Sequence, residues 1–152
     1  MAVASPFVSA LLAAFLTYQS TLKTKKFDIL YANKIPAFKE VMSSLTAFKI
    51  FCEGRVAYFQ GNEFSPYYQE GVGGLAHRTE ITTTIDLNSV FISDSSKAKI
   101  NELLGKLSLL CTAELSLVSG QEIPGIETLY KDLGTLAKDC IAELYNELNL
   151  SK

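Results

Sequence analysis

His77 is the single histidine of the chain, so a hydrolytic triad would have to use it as base, with a serine or cysteine nucleophile and an acid such as Glu80. No serine sits in a GxSxG turn or a comparable context, and the sequence places His77 at the surface or a loop edge. Together with Cys52, Cys111 and Cys140, His77 completes the inventory of a Cys3His zinc site. Such sites draw their ligands from close pairs, and no two of these residues are close. Each cysteine instead falls on an apolar helical stripe, where it reads as a small buried hydrophobe. No metal and no cofactor are expected. Gly71-Val72-Gly73-Gly74 lacks both the GxxxxGK[ST] and the GxGxxG spacing that cradle phosphates and reads as a loop. Glu63, Glu70, Glu80 and Asp86 are candidates for paired-carboxylate chemistry, but nothing in their spacing makes two of them converge.

Aromatic residues are more informative. Tyr58, Phe59, Phe64, Tyr67 and Tyr68 crowd a Gly- and Pro-containing stretch, where so much apolar ring surface needs a cover. They either close one end of a helical core or form a contact surface. The only two arginines, Arg55 and Arg78, flank this loop and offer an anion-binding or salt-bridging edge. Tyr58, Phe64, Tyr67, Tyr68, Arg55 and Arg78 are therefore the partner-contact candidates.

The elements that position these residues begin with a segment free of charge from Ala2 to Leu22; the first ionised side chain is Lys23. As a helix it is about 30 Å long, close to the hydrocarbon thickness of a bilayer, although Ser5, Pro6, Ser9 and Thr17 dilute it. Lys23, Lys25 and Lys26 form a basic edge on one side only, which by the positive-inside rule leaves the rest of the chain cytoplasmic. The expectation is a single-pass transmembrane anchor at residues 1–26 followed by a cytoplasmic domain at 27–152. Ser5, Ser9 and Ala13, four apart, are candidates for helix packing in the membrane. The competing reading is a cytoplasmic chain that buries 2–22 in an oligomer interface. A cleaved signal peptide fits poorly, because no basic residue precedes the apolar run.

From Phe27 onward the apolar periodicity is helical. Ile35, Phe38, Val41, Met42, Leu45, Phe48, Cys52, Val56 and Phe59 make one stripe, and Pro36 is expected to end or kink the chain's entry into it, with a joint at 33–36. Leu75, Ile81 and Ile85 suggest a helix over 75–87, against which Thr79, Thr82, Thr83 and Thr84 argue for short strands at 81–85 and 90–92. Ser93 to Ser96 supply N-cap oxygens for a stripe from Ile100 through Leu107 and Leu110 to Leu115 and Val118, which Gly120 ends. A last helix from about Pro124 to Leu150 carries Ile126, Leu129, Leu133, Ala137, Cys140 and Leu144 on one face. The fold expected is all-α: an antiparallel four-helix bundle preceded by one apolar N-terminal helix.

With 48% hydrophobic residues and a net charge of −2, the chain has composition enough for a core and no general positive field for nucleic acid. Three widely spaced cysteines suit a reducing compartment better than a disulfide framework. The order of apolar span, basic edge, the run Tyr31-Ala32-Asn33-Lys34-Ile35-Pro36-Ala37-Phe38-Lys39-Glu40-Val41 and the cap Phe91-Ile92-Ser93 resembles a loose class of small bacterial membrane-anchored helical-bundle proteins. That resemblance implies an anchored bundle in a stress or phage-defence setting and transfers no catalytic residue. The function expected is a non-enzymatic, membrane-anchored helical module acting through protein contacts, as a homo-oligomer or with a protein partner. The alternative is an oligomeric bundle that binds a small molecule, or does chemistry, beside the loop at 61–78.

Overall fold

The computed structural model describes residues 5–62 and 72–148, and of residues 5–11, 29 and 30 the backbone only. Four helices follow one another: α1 (Ser5–Phe59), α2 (Gly74–Asn88), α3 (Asp94–Val118) and α4 (Ile126–Glu147), with a 3-10 turn at Ser89–Phe91. Among the described residues there is no strand, and the fold class is all-α. The chain divides into two compact units, residues 1–36 and residues 37–152.

The second unit is a helical bundle around one core. Phe38, Val41, Leu45 and Phe48 of α1, Ile81 of α2, Ile100, Leu103, Leu107 and Leu110 of α3, and Tyr130, Leu133 and Leu144 of α4 are buried in it. Polar contacts join neighbouring helices. Gly74 of α2 meets Glu114 of α3, while Arg78 meets Ser108. Tyr130 near the start of α4 meets Glu114 near the end of α3, and Glu143 and Glu147 reach back to Lys99 and Ser93. These contacts tie α2 to α3 and α3 to α4. α1 approaches α4 at Gly134, where an added Cβ would lie 3.2 Å from Cβ of Cys52.

Local chemistry explains why these segments are helices. In α2 the hydroxyls of Thr79, Thr82 and Thr84 donate to the carbonyls four residues back at 3.0, 2.8 and 2.7 Å. Backbone hydrogen bonds thus absorb the polar half of residues that would otherwise favour strands. Ser93 caps α3 by accepting from Ser96 N, and Glu147 accepts from the Ser93 N–H and from the hydroxyls of both serines. That carboxylate sits where the unpaired amides of a helix start favour negative charge. The link to α4 ends at Gly125, whose φ of 81° a side chain would resist.

Several expectations need correction. α1 does not end at 33–36 but continues through Pro36, although the boundary between the two compact units falls at the expected joint, after Pro36. Pro36 and Ala32 are both exposed, so the carbonyl that loses its donor to proline can be hydrated, which lowers the cost of keeping the helix. The segment expected to cross a membrane is helical from Ser5 onward, yet among the described residues no helix is long and apolar enough to do so. Thr17, Gln19, Ser20 and Thr21 follow too soon after Leu16, and Lys23 after them. Leu115 and Val118 are 72% and 88% exposed rather than on the core stripe, because in that turn Glu114 takes the inward place to reach Gly74 and Tyr130. Leu75 is likewise exposed; the inward positions of α2 are Gly74, His77, Ile81, Ile85 and Asn88.

Candidate functional site

The residues with chemical potential gather at the end of the bundle where α1 finishes and α2 and α4 begin. His77 is buried, not at the surface, and this is the main correction to the sequence reading. Its ring lies 4.7 Å from that of Phe51 and 5.7 Å from that of Phe48. Neither ring nitrogen has a hydrogen-bond partner among the described residues. Burial lowers its pKa below the ordinary imidazole value, and the carboxylates of Glu80 and Glu114 oppose that shift. The ring is therefore neutral at pH 7. A general base must reach its proton at hydrogen-bond distance or through one water. Here both nitrogens are buried, and the imidazole packs beside two phenylalanine rings of the core.

Beside it, Glu114 joins three helices. Its Oε2 accepts from Gly74 N at 2.7 Å and its Oε1 from the Tyr130 hydroxyl at 2.7 Å. The N-cap of α2 is Gly73, with no side chain to cap with, so a carboxylate from α3 does the capping instead. Burial first, then the hydrogen bond to Glu114, pushes the Tyr130 phenol far above its ordinary range. Tyr130 also contacts the rings of Phe51 and Phe59, each at 5.9 Å. Arg55 donates from Nη2 to the Val72 carbonyl at 2.9 Å and lies 5.3 Å from the Phe51 ring centroid. A hollow of about 310 Å³ opens here, lined by Arg55, Phe59, Gly73, Glu114 and Tyr130. A second groove, of about 440 Å³, runs between α1 and α4 over Cys52 and Gly134, with Lys49, Lys131 and Lys138 along it. His77 lines neither.

The other sequence candidates are distributed as follows. Tyr58 is exposed and packs edge-on against Phe59. Arg78 donates from Nε to Ser108 Oγ at 2.9 Å, tying α2 to α3. Phe64, Tyr67 and Tyr68 lie outside the described residues, as do the side chains of Ser5 and Ser9. Ala13 is exposed, and its carbonyl accepts from the Thr17 hydroxyl at 2.8 Å. Cys52, Cys111 and Cys140 are free thiols, and among the described residues no three His, Cys, Asp or Glu gather as a metal would require. Burial raises the pKa of all three thiols, that of Cys140 to about 12.

Glu114 and Tyr130 were missed in the sequence. Their signal was available: Leu110, Glu114 and Leu117 are spaced four and three apart, and so are His77, Ile81, Ile85 and Asn88 in the pattern four, four, three. A polar residue in such a series faces inward and needs a partner. Comparison with known proteins gives no match to a family model, to a curated protein or to a solved structure.

Proposed function

We propose that the chain is a non-enzymatic helical module that acts through protein–protein contacts. In this reading residues 37–148 are an antiparallel four-helix bundle and the preceding part of α1 is the surface offered to a partner. The observation that carries it is the exposure of Leu12, Phe15, Leu16 and Tyr18, at 59–64%. Four large apolar side chains within seven residues of one helix mark an association surface. The burial of both His77 ring nitrogens beside Phe48 and Phe51 supports the same reading.

Membrane attachment through residues 2–22, with the bundle on the cytoplasmic side, is the second reading. It is favoured by Lys23, Lys25 and Lys26, which stand immediately after the charge-free stretch. Fractionation and light scattering on the full chain separate the two. A chain recovered without detergent and heavier than one copy, alone or with a cross-linked partner, is the expected result. Recovery only with detergent transfers the assignment to the membrane. A chain that stays single in cells and after purification, and never needs detergent, defeats both.

A further inference from the structure

We infer that the partner of the exposed helix at residues 12–25 is a second copy of this chain, paired with it antiparallel about Phe15 and Tyr18. The inference rests on the contact-module reading and names its partner. Along a helix, Leu12, Phe15, Leu16, Tyr18 and Leu22 fall on one broad face centred on Phe15, which Gln19 and Lys23 share. Thr17, Ser20, Thr21 and Thr24 lie on the other. Thr17, Thr21 and Thr24 donate to the carbonyls four residues back at 2.8, 2.8 and 3.0 Å. Phe15, Tyr18, Leu22 and Lys25 alternate spacings of three and four, and in the sequence the same spacing reaches back through Leu11 to Val8. That is the repeat of a helix-to-helix seam.

Two arguments choose the occupant. The first is area. Five side chains exposed by 40–64% offer on the order of 500 Å² per copy, so a pair removes about 1,000 Å² from water, where specific interfaces begin. The second is the distribution of charge. A helix lying on a lipid surface carries Lys and Arg along its polar face, whereas the polar face at 17–21 is neutral and the lysines are confined to 23–26. A helix surrounded by lipid would be apolar on every side, and this one is not.

The same lysines set the direction. Parallel copies would place Lys23, Lys25 and Lys26 against their own counterparts. Antiparallel copies centred between Phe15 and Tyr18 hold the two clusters roughly 25 Å apart at 1.5 Å per residue, well beyond the screening length of about 8 Å. Each cluster then faces the uncharged start of its neighbour.

The test is sedimentation equilibrium of the full chain, which should show a dimer at micromolar concentration. Phe15→Glu should weaken it at least about a hundredfold and leave the thermal transition of the bundle in place, because Phe15 lies outside the core unit. For direction, Leu12→Cys and Leu22→Cys copies in a Cys111→Ser background should cross-link to each other when mixed and not to themselves. Self-cross-linking of each would overturn the antiparallel arrangement. A dimer indifferent to Phe15→Glu would overturn the seam and spare the contact-module reading. A monomer at about 100 μM would overturn the inference, and one that instead binds vesicles of phosphatidylcholine and phosphatidylglycerol would assign this face to lipid.

Discussion

Tyr130 and Glu114, sixteen positions apart on successive helices, share a 2.7 Å hydrogen bond whose acceptor also caps a third helix at Gly74. One carboxylate therefore satisfies a buried phenol and an orphan amide together. Removing either partner has unequal consequences.

Glu114→Ala leaves both the Tyr130 hydroxyl and the Gly74 amide without a partner and should cost about 2–4 kcal/mol. Tyr130→Phe leaves Glu114 still bonded to Gly74 and should cost about 1 kcal/mol. Urea midpoints at constant slope decide this, and equal losses would contradict the shared role of Glu114.

His77 makes stability fall in mild acid. Its folded pKa is lowered by burial, so below the ordinary value of 6.5 the unfolded chain binds the proton more readily than the folded one. The stabilising contribution is complete above that value and is lost as pH falls through it toward the folded pKa. Comparing urea unfolding at pH 7.5 and 5.0 should show a drop that His77→Leu reduces, and an identical drop in the variant would refute the assignment.

Two glycines inside helices should respond in opposite ways. Gly105 of α3 is exposed, with open space where a Cβ would stand, and Gly105→Ala should stabilise by about 1 kcal/mol through helix propensity alone. Gly134→Val would press α4 against Cys52, whose Cβ has no rotamer to escape into, and should cost about 1–3 kcal/mol. Thermal unfolding of the two variants measures both signs.

The thiols should label in order of exposure. Cys111 is part-exposed, whereas Cys52 and Cys140 are each 1% exposed. Native-state alkylation at pH 8 should modify Cys111 first and reach the other two only as the chain unfolds. Equal rates at all three would mean that α1 and α4 do not pack as described.

The helices were readable wherever the apolar spacing was strong. Phe38 to Phe48, Ile100 to Leu110 and Leu133 to Leu144 carry their cores at the expected positions, and Ser93 caps where its type and place suggest. The failures have physical causes. Pro36 reads as a breaker by type, but its exposure lets water offset the lost hydrogen bond. His77 reads as a surface residue by polarity, but its register with Ile81 and Ile85 turns it inward. Leu115 reads as core by type, but Glu114 takes the inward position that Gly74 and Tyr130 make favourable. For Glu114 the missing information is a partner on another helix; for Pro36 it is solvent exposure, and for His77 it is burial with neither ring nitrogen bonded, and a single helix pattern contains none of the three.

The contact between Phe51 and Tyr130 joins α1 to α4 across about eighty intervening residues. At roughly 5–20 residues per second on the ribosome, the ring of Phe51 emerges some 4–16 s before the ring that covers it. During that interval Phe38, Val41, Leu45 and Phe48 form an apolar ridge with its α4 cover still unsynthesised. Synthesis therefore presents an exposed apolar helix before it presents a bundle, and the yield of folded chain should depend on holdase capacity more than the stability of the finished fold would suggest.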